Sequence, residues 1–287
     1  MKPAPFAYRR PGSLDEALLA LAGEPDAKVL AGGQSLVPLL SMRLAHPSLV
    51  VDINAVPGLD SVTASPDGVR IGALARHTAV LANEDARRVQ PLIGLALACV
   101  AHPTIRNRGT TVGSIIHADA AAEMPAVLTL LGGSVDVVSV RGERTIAAAD
   151  LFRGPLETTL AHDELAVSAF FPALGTGAGV GFEEISRRRG DYAVCAVAAV
   201  VRLDGDRVLE ARAGFVSVCD VPTVLDLTDA LAGGVDAATL TAAGDLAIAG
   251  LDPVGDLHAS ADFRAHLVRV LTARALQAAH DDARERS

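Results

Sequence analysis

The 287-residue chain reads as an α+β protein in two parts. Three observations predict this. Through residues 1–175, segments with apolar residues at helical spacing are interleaved with segments that alternate in the manner of strands. At 173–181 the stretch ALGTGAGVG interrupts both patterns, because closely spaced glycines lower the cost of a bend and weaken regular structure. Beyond it, strand-like segments come first and helical ones afterwards, the order of a domain that packs helices on an antiparallel sheet. The expected domains are therefore 1–175, with subdomains near 1–55 and 56–175, and 176–287.

In order along the chain, SLDEALLALAG (13–23) predicts a helix. Ser13 and Glu16 have capping-box spacing, Leu14, Leu18 and Leu21 share a face, and Gly23 suits a left-handed end. AKVLAGG (27–33) is a strand running into a loop, SLVPLLSMRL (35–44) a helical turn, and SLVVDI (48–53) a strand. Pro66-Asp67-Gly68 turns a hairpin between two apolar stretches. Helices are expected at 77–83, 85–101 and 123–132, with a loop over 105–123. A second hairpin turns at Arg141-Gly142-Glu143, and Pro172 ends the strand ELAVSAFF (164–171). VGFEEISRR and the long run from Ala193 to Val218, turned at Asp204-Gly205-Asp206, are antiparallel strands. Helices are expected at 224–232, 236–249 and 262–280.

Composition excludes several classes of function. A net charge of −9 repels phosphate polymers, so no nucleic-acid surface is expected. The apolar runs at 92–101 and 192–201 are about half of a bilayer-spanning length, and MKPAPFAYRRPGS lacks the apolar centre of a secretory signal. Cys99, Cys195 and Cys219 are far apart and make no zinc or cluster spacing. Such a sparse set fits buried free thiols in a reducing cytoplasm. Half the residues are hydrophobic but only 3% are aromatic, so the core packs through small side chains.

No dinucleotide glycine fingerprint follows a strand, and no Walker lysine loop, HExxH or G-x-S-x-G motif occurs. Two other loops have chemistry suited to phosphate. In VLAGGQSLVP (29–38), Gly32 and Gly33 have no Cβ to keep an anion from their backbone N–H groups. Gln34 and Ser35 add donors just ahead of a helix start. The alternative is an ordinary tight turn. IRNRGTTVGSIIHADAAAE (105–123) repeats this chemistry, and two such loops point to a long ligand with two phosphates. Arg106 and Arg108 read as partners of surface carboxylates sooner than of phosphate.

Three segments, in order, resemble a known family. AGGQSLVPLLSMRLAHPSLVVDIN, HPTIRNRGTTVGSIIHADAAAEMP and FEEISRRRGDYAVCAVAAVV are similar to the FAD-binding medium subunits of molybdenum hydroxylases. The resemblance implies a vanillyl-alcohol-oxidase-like (PCMH-type) FAD-binding domain of two α+β subdomains, followed by a C-terminal domain of antiparallel sheet and helices. It implies FAD as cofactor. It also implies electron transfer from the iron–sulfur clusters of a small subunit, fed by a large molybdopterin subunit, to an external acceptor. Carried over by position, Ala31, Gly32, Gly33, Gln34, Ser35 and Leu36 match the diphosphate loop. Thr110, Gly113, Ser114 and His117 match the second loop. Asp119 and Glu123, its acidic end, suit ribityl or adenosine hydroxyls. Asp191 and Tyr192 match residues near the isoalloxazine, where Tyr192 would face the ring as its catalytic neighbour; otherwise it is an aromatic packed between domains.

Two positions depart from the family pattern. Its second loop usually reads T-[IV]-G-G-[SN], and Val112 stands where the first of the paired glycines is expected. Either the backbone stays β-compatible there, or FAD binding is weakened. On that reading Val112→Gly tightens binding or leaves it unchanged. Glu184 occupies a position that commonly carries lysine. Other readings on the same scaffold are a standalone FAD-dependent oxidoreductase and a non-catalytic scaffold that has lost FAD.

Overall fold

The computed structural model describes residues 2–286. Its first unit is a small parallel sheet of β1 (Ala7–Arg9), β2 (Lys28–Leu30) and β3 (Leu49–Asp52), in the order β1-β3-β2. All four residues of β3 are buried, as a central parallel strand requires. Helix α1 (Leu14–Ala22) connects β1 to β2 and buries Ala17, Leu18, Ala20 and Leu21. Ser13 accepts the Glu16 N–H at 3.3 Å, but the Glu16 carboxylate accepts from Gly12, one residue before the cap. Gly23 has φ −79°, not the left-handed value expected. The Gly23 and Glu24 N–H groups reach the Leu19 and Leu21 carbonyls in a continued right-handed turn, so no reversal is needed. Helix α2 (Leu36–Met42) follows β2.

The second unit is an antiparallel sheet of β4 (Val62–Ser65), β5 (Gly68–Gly72), β6 (Ser134–Ser139), β7 (Gly142–Ala147) and β10 (Leu165–Pro172). Their order is β4-β5-β10-β6-β7. A short ribbon, β8 (Phe152–Gly154) and β9 (Glu157–Thr158), lies beside it in sequence. Between β5 and β6 come α3 (His77–Ala82), α4 (Glu84–Val89), α5 (Pro91–Cys99), α6 (Pro103–Arg106), α7 (Thr111–His117) and α8 (Glu123–Leu130). The helix expected over 85–101 is two helices. Pro91 has no N–H to continue the ladder, and Gln90 caps the second helix. The expected loop at 105–123 is largely helical, with α7 at its centre.

The third unit is the antiparallel sheet β11 (Ala178–Ser186), β12 (Ala193–Asp204), β13 (Arg207–Val216) and β14 (Thr223–Asp226), in sequence order. Helices α9 (Ala237–Ala249) and α10 (Ala261–Arg286) complete it. The helix expected at 224–232 is instead β14 and a 3-10 turn at Thr228–Leu231. Pairing of Thr223–Asp226 with Arg212–Phe215 takes precedence over its apolar spacing. Along β12 the side chains alternate between two cores. Cys195, Val197, Ala199 and Val201 face the cluster with α9 and α10, while Ala198 and Val200 join that of the second unit. One sheet therefore closes both cores, and α5 and α8 lie against its other face.

The glycines at 179 and 181 serve packing, where the sequence predicted a bend. They lie inside β11, and a Cβ on either would overlap the α10 backbone at Ala275, Ala279 and Ala283. Of the three cysteines, Cys195 is buried as expected, whereas Cys99 and Cys219 are only half-buried; all are free.

Candidate functional site

The loop after β2 presents an unsatisfied row of donors. The backbone N–H groups of Gly32, Gly33, Gln34 and Ser35 meet no acceptor among the described residues. Gly33 has φ +74°, a conformation that a residue with a Cβ rarely adopts. Successive N–H groups in such a turn form a concavity for an anion. Gln34 is exposed and donates back to the Gly32 carbonyl at 3.3 Å. Ala31, Ser35 and Leu36 are half-buried.

Gly32 is buried against the start of the second loop. A Cβ there would overlap the Arg108 carbonyl oxygen and stand 2.8 Å from Gly109 Cα. The two loops are thus in backbone contact. The second is held by the Gly109 carbonyl, which accepts the His77 N–H at 3.0 Å, and the Ala75 carbonyl, which accepts the Thr111 N–H at 3.3 Å. Thr110 is buried, and its hydroxyl caps α7 by accepting from the Gly113 N–H at 3.2 Å. Its role is to start the helix that carries its neighbours.

Val112 does not sit in a strained or β-like loop position. It is a helical residue of α7, 2% exposed, within the core of the second unit. Gly113 is exposed and Ser114 half-buried, so these two face outward. A helix accommodates valine where the motif has its first glycine, since α7 has no positive φ before its cap at Ala118.

About 10 Å of α7 leads to the acidic end. His117, half-buried, has its pKa lowered by burial, with Asp119 opposing. Asp119 spends one oxygen on the Ala121 N–H at 2.9 Å. Glu123 is buried in the first turn of α8. Burial, then the charge of Glu184, pushes its carboxyl up to about 8. Burial therefore favours the protonated carboxyl over the carboxylate expected from the sequence.

Across the seam, β11 supplies Glu184, whose carboxyl burial pushes up to about 7. Its Oε2 is buried and unpartnered. The lysine-to-glutamate departure thus points inward. Cys99 at the end of α5 feels the same enclosure: burial first, then Glu184 and Glu123, push its thiol up to about 11. Tyr192 is 65% exposed at the start of β12 and is not packed between domains. Desolvation, then the charges of Asp119 and Glu123, raises its pKa. Asp191 is half-buried beside it. The structure thus brings Gly32 onto the start of the second loop, and sets Tyr192 within electrostatic reach of Asp119 and Glu123 at its far end.

Sequence reasoning missed the residues that join the two loops. Tyr8 donates to Asp52 at 2.5 Å, and the Asn54 amide donates to Asp52 at 2.6 Å and to the Ala31 carbonyl at 2.8 Å. Arg76 donates to Asn54 Oδ1 and to the Arg108 carbonyl, each at 2.6 Å. Burial alone would raise the Asp52 carboxyl; the hydrogen bonds from Tyr8 and Asn54 outweigh it and lower the pKa. Arg106, by contrast, partners no carboxylate among the described residues: it donates to the Val100 and Ala101 carbonyls. A cleft of about 540 Å³ elsewhere, lined by Arg202, Glu210, Asp226 and Thr228 among others, involves neither loop.

Comparison with known proteins identifies the family. Residues 4–174 match the FAD binding domain in molybdopterin dehydrogenase, and residues 181–279 the CO dehydrogenase flavoprotein C-terminal domain. The chain is 41% identical to the 6-hydroxypseudooxynicotine dehydrogenase complex subunit alpha of Paenarthrobacter nicotinovorans, covering 99% of this chain and 97% of that one. It superposes on quinoline 2-oxidoreductase from Pseudomonas putida 86 with a TM-score of 0.93 and 36% identity, covering 99% of each chain. With carbon monoxide dehydrogenase from Hydrogenophaga pseudoflava the TM-score is 0.92 at 32% identity, covering 98% of this chain and 99% of that one. With both halves matched in order over nearly the whole length, this chain belongs to the FAD-binding medium subunits of the molybdenum hydroxylases.

Proposed function

We propose that the chain is the electron-transfer flavoprotein of a molybdenum hydroxylase. It would work beside a small iron–sulfur subunit and a large molybdopterin subunit, and pass electrons to an external acceptor. The observation that carries this reading is the row of free N–H groups at 32–35, lying against the second loop. Bound FAD supplies redox chemistry that can join clusters to an acceptor.

The chain's own residues have separable roles. The N–H groups of residues 32–35 hold the diphosphate without interference from a Cβ at Gly32 or Gly33. Gln34, Ser35 and Leu36 border it. Thr110 builds the N-terminus of α7; Gly113, Ser114 and His117 line the path beyond it. Asp119 and protonated Glu123 offer an acceptor and a donor to sugar hydroxyls or ring edge. Tyr192, with Asp191 beside it, covers the ring and meets the acceptor side. Three scattered cysteines are fewer than the four ligands of a common cluster, which supports placing the clusters on another chain. We place the functional division within 173–181 and the protein in the cytoplasm; free thiols, and no described helix long and apolar enough to cross a membrane, support this.

The visible spectrum of purified protein tests the reading. Flavin bands at near one FAD per chain, and recovery with iron–sulfur and molybdopterin subunits, are expected. A colourless protein that takes up no added FAD overturns it.

A further inference from the structure

We infer that Asn54 and Arg76 are positioning residues that set the spacing of the two FAD loops and aim the first loop's donors. This rests on the proposed FAD reading of those loops. Asn54 lies just after β3 and Arg76 just before α3, so neither belongs to either loop. Together they bridge them. The Asn54 amide nitrogen holds the Ala31 carbonyl at 2.8 Å, and its oxygen accepts from Arg76 at 2.6 Å. The other arm of the same guanidinium holds the Arg108 carbonyl at 2.6 Å. Ala31 and Arg108 flank the place where Gly32 touches the second loop.

Orientation follows from the planar peptide. In a trans peptide the carbonyl of one residue and the N–H of the next point in opposite directions. By fixing the Ala31 carbonyl inward, Asn54 turns the Gly32 N–H outward, at the head of the free donor row. Asp52 and Tyr8 hold Asn54 in turn: Asp52 accepts from its amide at 2.6 Å, and Tyr8 occupies the second carboxylate oxygen at 2.5 Å. The guanidinium matters as a fork. Its two arms reach acceptors on different segments, which a single ammonium on a flexible stem does not reproduce.

The test uses the full chain, freed of FAD and titrated with FAD by quenching of flavin fluorescence. The variants are Arg76→Met, Arg76→Lys, Asn54→Ala and the double variant Asn54→Ala/Arg76→Met. Melting of each apoprotein is followed in parallel. Expected is a rise in FAD Kd of about tenfold or more for Arg76→Met and Asn54→Ala, an intermediate rise for Arg76→Lys, and a double variant little worse than either single one. Apoprotein melting should change too little to account for these losses. Unchanged Kd in Arg76→Met, fully additive losses, or losses that only track apoprotein melting would overturn the inference. Arg76→Lys keeps the charge and supplies the reading if Arg76→Met does not fold. Failure of the wild-type chain to bind FAD would overturn the functional reading itself, a different outcome from variants that bind as the wild type does.

Discussion

Gly32 and Arg108 meet backbone to backbone: the Cα of the glycine lies so near the Arg108 carbonyl oxygen that an added Cβ would overlap it. The side chain is excluded by the second loop itself, before any ligand arrives. Gly32→Val is therefore expected to push the loops apart, not merely to obstruct a phosphate. Loss of at least about tenfold in FAD affinity should accompany a stability loss of about 1–3 kcal/mol, typical of overpacking. The flavin-to-protein absorbance ratio and apoprotein melting check both. Full flavin content in the variant would refute the placement of the diphosphate.

Val112→Gly is expected to destabilise the protein, a cost that the motif, which bears only on FAD affinity, does not show. The side chain is 2% exposed in the core of the second unit, and its backbone is helical. Removing it forfeits about 1.5–3 kcal/mol of burial, and glycine inside a helix costs about 1 kcal/mol beside alanine. Denaturant unfolding of Val112→Gly and Val112→Ala separates these contributions. Unchanged stability in both would show that the site is not packed as described.

Features carried by local chemistry were legible in the sequence. Ser13 caps α1, Pro66-Asp67-Gly68 turns a hairpin, and the Gly-Gly-Gln-Ser loop stands between a strand and a helix. What remained hidden depended on distant partners. Tyr8, Asp52, Asn54 and Arg76 come from separate segments and form no local pattern, although they join the two loops. Thr-Thr-Val-Gly-Ser looked like a loop because β-branched residues and glycine disfavour helix. Burial of Thr111, Val112 and Ile115, with the Thr110 cap, overrides that tendency. Val224, Leu225 and Leu227 had helical spacing, but the open edge of β13 captured their segment as a strand.

Acid should act on the second loop through His77. Its ring is buried, with Nδ1 3.2 Å from the Thr111 hydroxyl, and it packs where a Cβ on Gly109 would fall. Burial, then the charge of Arg106, lowers its pKa to about 4. The unfolded chain, with a histidine near 6.5, binds the proton more readily. The stability contributed by neutral His77 is therefore complete above about pH 6.5 and declines as pH falls towards 4, with a limiting slope of about 1.4 kcal/mol per unit. Denaturation between pH 4.5 and 7 should show this slope reduced in His77→Gln. Identical slopes would assign the acid sensitivity to other groups.

Glu123 should give the opposite dependence. It is 6% exposed, and burial together with Glu184 pushes its carboxyl up to about 8. Here the folded state holds the proton more tightly than the unfolded chain. Stability is greatest below the unfolded value near 4.5 and is lost as pH rises through 8. Burial alone raises Glu184 on β11 to about 7, and once ionised its charge adds to the cost of ionising Glu123. Glu123→Gln keeps the shape and removes the charge. Its unfolding free energy should exceed that of the wild type at pH 8 by about 1 kcal/mol or more, with the difference shrinking towards pH 5. Glu184→Gln, in turn, should move the Glu123 titration down, as carboxylate NMR or infrared difference spectroscopy would register. A Glu123→Gln variant equally or less stable at pH 8, with the Glu123 titration unmoved by Glu184→Gln, would mean that the buried carboxyl is held ionised by a partner and that the two sites are not coupled.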